Sequence, residues 1–284
     1  MDNTYFNNDF EYYFSNKFCN GIYSNFTKTL KNCALVILKP ECLLTNKINE
    51  AIEILKEYDF EPVYLKIKTL SQQQVFSLWK YGWDNATIAR ILMNYVVMSF
   101  SPCVIIIVKN KSNSLKEPCE FLNSQKGNSY PIESDNVSIR YRLGAFNNFL
   151  NYIHISDSFY DMVREIAVLY DYIEMIELIE ALKSNKFISL KLIQKETLPY
   201  IKNFVFPNPT TLFNEYISSF EDNHNDITKD IKKSLHESLE RKSISNELFL
   251  SLMSNNLINW DWNNIVLFSS FIETIDKKTS LYHD

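Results

Sequence analysis

Cys33-Ala34-Leu35-Val36-Ile37-Leu38 is an unbroken apolar run that stops at Lys39-Pro40. Such a run marks a strand buried on both faces. Val104–Val108 (VIIIV) is a second run of the same kind. Between them, Ile48, Ala51, Ile52 and Leu55 fall at i, i+3, i+4 and i+7, so Asn46–Tyr58 is predicted as an amphipathic helix. Val63, Leu65 and Ile67 alternate with Tyr64, Lys66 and Lys68, the pattern of a half-buried strand. Ser71 with Gln74 forms a capping box that opens a short helix toward Trp79, and Asp84–Met98 reads as another helix. Residues 109–138, with Pro118 and Pro131, read as a long loop; Phe149–Ile153 reads as a strand, and Ser158 begins a long helix. This order predicts an α+β domain, a ferredoxin-like antiparallel sheet with helices.

Around this core the chain is expected to divide in three. Residues 1–30, rich in Asn, Tyr and Phe without a clear period, read as an N-terminal extension that packs on a neighbour or stays partly mobile. Residues 31–184 form the α+β domain. Residues 185–284, with Pro199, Pro207 and Pro209 between helical patterns, read as an all-α C-terminal domain. Its predicted helices are Thr210–Phe220, Ile227–Arg241 and Ser245–Asn256, followed by an apolar segment over Trp260–Ile275.

Composition excludes several classes. Apolar residues make up 46% and charged residues 22%, ordinary for a soluble globular protein. A net charge of −5 argues against a nucleic-acid-binding surface. No run approaches the ~20 apolar residues of a membrane span, and the polar, acidic N-terminus lacks the features of a secretory signal. Five cysteines without a CxxC pair fit a reduced, cytoplasmic setting and neither a zinc site nor a disulfide framework; no metal site is expected. Only four glycines are present, and no glycine-rich phosphate loop. If the protein holds phosphates, side chains must do it.

The sharpest chemical feature is Asn151-Tyr152-Ile153-His154-Ile155-Ser156-Asp157-Ser158. A histidine ends an apolar strand, and Ser158 with Asp161 then caps a helix. Glu165 lies about two turns into that helix, on a face able to return toward His154. A histidine held through one ring nitrogen presents the other as a nucleophile, which suits phosphoryl transfer. A strand-end histidine that simply hydrogen-bonds to its neighbours fits the spacing as well.

The stretch NYIHISDS resembles the active-site signature N-x-x-H-G-S-D-S of nucleoside diphosphate kinases. ALVILKPECL resembles that family's first strand and Lys-Pro-Asp motif, and Ser138-Ile139-Arg140 resembles its Thr-Ile-Arg. The resemblance covers about half the chain. It implies His154 as the phosphorylated nucleophile, with Glu165 and Ser156 orienting the ring. It implies Lys39 on the terminal phosphate, Arg140 on phosphates and Asn151 on sugar or phosphate. Trp79 falls where the family has a tyrosine near the transferred phosphate. Arg140 and Arg142 alternate on one short stretch, so Arg142 is a further candidate on the same side. The implied ligands are ATP or another NTP, Mg2+ carried by the nucleotide, and a small-molecule acceptor; a homo-oligomer is compatible with the family.

Several positions depart from the pattern. Ile155 replaces the glycine after the histidine and is expected to crowd the nucleophile. Glu41-Cys42 stands for Asp-Gly. The Arg-Pro-Phe-Phe-Pro-Gly segment has no counterpart between Trp79 and Ser101. The second phosphate-binding arginine, expected within 109–127, is missing; Cys119 lies near its place, with Lys116 and Lys126 as candidate substitutes. Three functions follow: a phosphotransferase with an altered substrate, a nucleotide-binding regulatory module with little turnover, or an interaction protein.

Overall fold

The computed structural model describes residues 9–130, 136–220 and 226–275. The chain opens with α1 (Phe10–Ile22) and α2 (Phe26–Leu30). Then come β1 (Cys33–Leu38), α3 (Pro40–Leu44), α4 (Ile48–Glu57), β2 (Phe60–Lys68), α5 (Gln72–Leu78) and α6 (Ile88–Ser99). β3 (Cys103–Asn110), α7 (Pro118–Gln125), α8 (Ile139–Leu143), β4 (Ile153–Ile155) and α9 (Phe159–Leu169) follow. The remaining helices are α10 (Tyr172–Ser184), α11 (Leu190–Thr197), α12 (Pro209–Ser218), α13 (Asp226–Arg241), α14 (Asn246–Ser254) and α15 (Trp262–Phe271).

The four strands form one antiparallel sheet in the order β2-β3-β1-β4, the ferredoxin-like arrangement. The two uninterrupted apolar runs are its two inner strands, and every residue of β1 is buried. An inner strand meets packed layers above and below, so neither set of alternate side chains reaches water. β2 lies at an edge and shows the half-buried character its alternation predicts, with a register shift between Pro62 and Tyr64. On α4 the predicted stripe of Ile48, Ala51, Ile52 and Leu55 is buried. The capping box is present: Gln74 N donates to Ser71 Oγ at 3.2 Å and Ser71 N to Gln74 Oε1 at 3.0 Å.

One local expectation is narrowed and two are corrected. Where described, residues 1–30 hold two helices that no clear period in the sequence announced, and of the two expected behaviours packing on a neighbour is the one seen: α1 packs on α9, with Tyr12 and Tyr160 rings 5.7 Å apart. The loop over 109–138 contains α7, which starts at Pro118; proline suits a first helical position because its missing N–H is unpaired there in any helix. Pro131 lies outside the described residues. The last strand is shifted along the chain from Phe149–Ile153 to Ile153–Ile155, because only those residues pair with β1.

The chain divides into two compact units, Met1–Leu78 with Met98–Phe204, and Trp79–Val97 with Val205–Asp284. This division differs from the boundary expected after residue 184, and main-chain bonds explain why. Ile188 N donates to Pro62 O at 2.7 Å and Phe204 N to Leu44 O at 2.9 Å, which ties residues 185–204 to the α+β unit. Thr87 Oγ1 donates to Glu273 O at 2.6 Å and Ala89 N to Asn246 Oδ1 at 3.0 Å, which ties residues 79–97 to the second unit. That unit is helical, with an aromatic core: Phe213 and Phe271 rings lie 5.0 Å apart, and Phe249 and Phe268 5.8 Å apart. Among the described residues, no helix is long and apolar enough to cross a membrane.

Ile106 is fully buried in β3, so truncating it leaves a cavity in the core. Ile106→Ala is expected to lower stability by about 2–5 kcal/mol, read from urea unfolding followed by circular dichroism. A loss under about 0.5 kcal/mol would mean that β3 is not an inner strand.

Candidate active site

β4 is short, and its hydrogen bonds aim the strand. Lys39 N donates to Tyr152 O at 2.9 Å and Ser156 N to Leu35 O at 3.2 Å. These bonds turn the polar groups of the even-numbered residues toward β1. The carbonyls of Ile153 and Ile155 therefore face the outer edge of the sheet. Two cations cap them. Arg140 donates through Nε (3.3 Å) and Nη2 (3.1 Å) to Ile153 O, and Lys126 Nζ donates to Ile155 O at 3.1 Å.

The strand begins from a strained turn. Tyr152 has φ +67°, and Ile153 N donates to Asn151 O at 2.8 Å, a γ-turn of the positive-φ kind. A tyrosine in this region is uncommon and costs about 1–3 kcal/mol. Glu41 holds the turn, its Oε1 accepting from Tyr152 N at 2.9 Å.

His154 pairs across from Ile37 in β1, with its ring on one face of the sheet. Its Nε2 lies 3.1 and 3.2 Å from the two oxygens of Glu165 in α9. Ser156 Oγ donates to Glu165 Oε2 at 2.5 Å. Behind the carboxylate stands Arg164, whose Nη2 is 3.6 Å from Glu165 Oε1 and also donates to Leu78 O at 2.9 Å. The local sequence explains the aim. Ser158 caps α9 by accepting from Asp161 N at 3.1 Å, which starts the helix where its second turn brings Glu165 under the ring. Burial pushes the Glu165 carboxyl up, but His154, Arg164 and Ser156 together hold it below the usual carboxylate range. A neutral ring that donates Nε2–H to that carboxylate keeps its lone pair on Nδ1.

Lys39 is buried beside this pair. Its Nζ donates to Phe149 O and, at 3.1 Å, to Asn151 Oδ1, and lies 3.6 Å from Glu41 Oε1. Burial pushes its ammonium below the usual lysine range; Glu41 opposes this and Arg140 adds to it. Burial likewise brings Arg140 down to about 10, so its guanidinium is cationic at neutral pH. Lys126 is lowered by burial, with Asp157, 3.3 Å away, pulling back and Arg140 pushing further down. Lys39, Arg140 and Lys126 thus form a chain of cations around β4.

The structure brings together His154, Ser156, Glu165, Lys39, Asn151 and Arg140 in one unit. Arg142 does not join them. Residues 139–143 form α8 rather than an extended stretch, so positions two apart diverge around the helix. Arg140 is buried, while Arg142 binds Glu57 through two nitrogens at 2.8 and 2.9 Å. Trp79 belongs to the second compact unit, where its ring lies edge-on to Trp83, 6.4 Å away. Cys119 is a buried thiol donating to Ser156 O at 3.4 Å, with its pKa pushed up by burial. Lys126, and not the exposed Lys116, stands near the histidine. Sequence reasoning missed Glu41 as a part of the site. Its signal was there: an acid in the first turn of a helix that opens with Lys-Pro.

The expected crowding by Ile155 is corrected. Neighbouring residues of a strand point to opposite faces, and Ile155 is wholly buried on the face away from the ring. Among the described residues there is no group of His, Cys, Asp and Glu side chains suited to hold a metal ion.

A model of the family "nucleoside diphosphate kinase" matches residues 32–175. The chain belongs to this family. Nucleoside diphosphate kinases of two Histophilus somni strains, 129Pt and 2336, are each 29% identical over 136 residues, 48% of this chain and 90% of theirs. Among solved structures, the Aquifex aeolicus nucleoside diphosphate kinase is 18% identical with a TM-score of 0.43, over 50% of this chain and 97% of that one. The Pyrobaculum aerophilum NDP kinase is 16% identical with a TM-score of 0.40, over 51% and 98%. The nucleoside diphosphate kinase domain accounts for the sheet and the histidine site. The helices from α11 onward lie beyond it.

Two outcomes test this geometry. Ile155→Gly is expected to cost about 3–5 kcal/mol of stability through a core cavity and a flexible strand residue, without speeding any labelling of His154. A faster rate with unchanged stability would restore the crowding reading. Glu165, held below its ordinary pKa, contributes stability at neutral pH that is lost as pH falls through the carboxylate range. The stability gap between wild type and Glu165→Gln should therefore narrow on acidification, as measured by thermal unfolding between about pH 7 and pH 4. A gap that stays constant over this range would contradict a Glu165 carboxyl held below its ordinary range.

Proposed function

We propose that the nucleoside diphosphate kinase domain is a phosphotransferase that works through a phosphohistidine. One observation carries the reading: a carboxylate spans Nε2 of His154 with both oxygens, while a serine on the same strand steadies that carboxylate. This leaves Nδ1 as the attacking atom. In the first half-reaction Nδ1 attacks the γ-phosphorus of an NTP. The bond from that phosphorus to the β,γ-bridging oxygen breaks, and nucleoside diphosphate leaves. The cation formed on the ring is compensated by Glu165 through Nε2–H. The second half-reaction reverses these steps with a nucleotide or related small molecule as acceptor. Mg2+ arrives with the nucleotide.

The cations support the same reading. Phosphoryl transfer relies on positioning and on charge neutralisation around the transferred group. Lys39, Arg140 and Lys126 supply three positive charges near the ring, and Asn151 orients Lys39. Arg140 rests on a carbonyl; a phosphate oxygen is a stronger, charge-assisted acceptor for its guanidinium.

A second reading rests on the same residues. His154 is only 7% exposed, and Lys39 and Arg140 are engaged by carbonyls. A nucleotide-binding regulatory module with little turnover would have this arrangement.

Incubation with γ-labelled ATP and magnesium separates the two. The phosphotransferase forms an acid-labile, base-stable phosphoenzyme, and His154→Ala abolishes it while the fold is retained. Glu165→Gln is expected to slow labelling on the order of 10²-fold. Nucleotide binding without any phosphoenzyme would sink the phosphotransferase reading and leave the regulatory one.

A further inference from the structure

Glu41 carries a charge that the steps above do not use. It sits in the first turn of α3 and is wholly buried. Its Oε1 receives Tyr152 N and stands 3.6 Å from Lys39 Nζ. Its Oε2 has neither solvent nor a hydrogen-bond partner. Burying a carboxylate oxygen in this way is costly. Support of the Tyr152 turn does not require it, because a neutral amide oxygen would accept the same N–H. The charge is matched only by what it faces. Lys39 is faced by Glu41 from α3 and by Arg140 from α8, and its other partners, Phe149 O and Asn151, are neutral. Around Glu41 the remaining titratable neighbours are the buried thiols of Cys42 and Cys103 and the phenol of Tyr152.

We propose that Glu41 is a positioning residue that keeps Lys39 protonated and parked at the phosphate site until the terminal phosphate of a nucleotide arrives as its counter-charge. The proposal rests on the reading that Lys39 receives that phosphate. Without Glu41, the empty site would hold two facing cations, Lys39 and Arg140, in a place that burial already makes hostile to charge. Lys39 would then shed its proton as pH rises, and only the protonated amine holds phosphate. The carboxylate also stands near the incoming anion. Its repulsion gives a second consequence: nucleotide affinity is lower than the cations alone would give, in exchange for a site that is charged and ordered while empty.

The test uses the full chain, Mg·ATP and calorimetric titration between about pH 7.5 and pH 9.5. Glu41→Gln keeps the acceptor for Tyr152 N and removes the charge. Wild-type affinity should hold across the range. The variant should bind as tightly as wild type or more tightly at the lower end, and lose on the order of tenfold as pH rises. Adding Lys39→Arg to Glu41→Gln should flatten the profile, since a guanidinium does not titrate there. Parallel wild-type and Glu41→Gln profiles would overturn the proposal. A separate readout needs no nucleotide: the 15Nζ resonance of Lys39, assigned by its loss in Lys39→Arg, should titrate at lower pH in Glu41→Gln than in wild type. Identical titrations would overturn the proposal too. If Glu41→Gln does not fold, the wild-type resonance decides, because an amine already neutral at about pH 7.5 refutes a role for Glu41 in keeping it charged. Should wild type bind no Mg·ATP at any pH, the phosphotransferase and nucleotide readings fall, while the lysine resonance still answers for Glu41.

Discussion

The contact between Glu165 and His154 is the constraint around which the α+β unit is arranged. An imidazole on an edge strand has many rotamers open to it; a buried carboxylate that meets one ring nitrogen with both oxygens leaves one of them. The carboxylate in turn needs a fixed helix, which the Ser158 cap supplies, and a fixed charge, which Arg164 of the same helix supplies while anchored on the carbonyls at the end of α5. α1, outside the family domain, packs on that same helix. The acid, the helix that carries it and the layers that hold the helix are therefore one mechanical unit.

β4 illustrates what an edge strand requires when it carries function. Its outward carbonyls at Ile153 and Ile155 would otherwise be open to water or to another chain. Here Arg140 and Lys126 cover them. The same two cations thereby sit on the carbonyls either side of His154, so closing the edge also brings positive charge to that strand. The strained turn at Tyr152 belongs to this arrangement, since it joins the Lys39–Glu41 corner to the first residue of β4.

The positions that depart from the family pattern are of two kinds. Ile155 and Cys119 are buried hydrophobic replacements that pack into the core rather than into the site. Lys126 adds a positive charge beside the strand in the absence of the family's second arginine, though on a carbonyl and an aspartate rather than in an open clamp. The second compact unit joins residues 79–97, which lie within the stretch that the family model matches, to residues 205–284, which lie beyond it, and has an aromatic core of its own.

Much of this protein was legible in its sequence because the signals were local. Two unbroken apolar runs specify inner strands, a stripe at i, i+3, i+4 and i+7 specifies α4, and a serine with an acid three residues on specifies the start of α9. The histidine and its glutamate were legible for the same reason, with one strand end and one helix start between them. Tertiary structure decided the rest. It separated Arg140 from Arg142 by coiling a short stretch that alternation alone had made extended. It turned Ile155 into the core, and it brought Glu41 to Lys39, Tyr152 and Arg140. It also assigned residues 79–97 and 185–204 to units that their place in the chain did not suggest. Local periodicity records which face of an element meets the core. Which charges meet across elements depends on contacts between residues about a hundred positions apart, and no spacing along the chain encodes those.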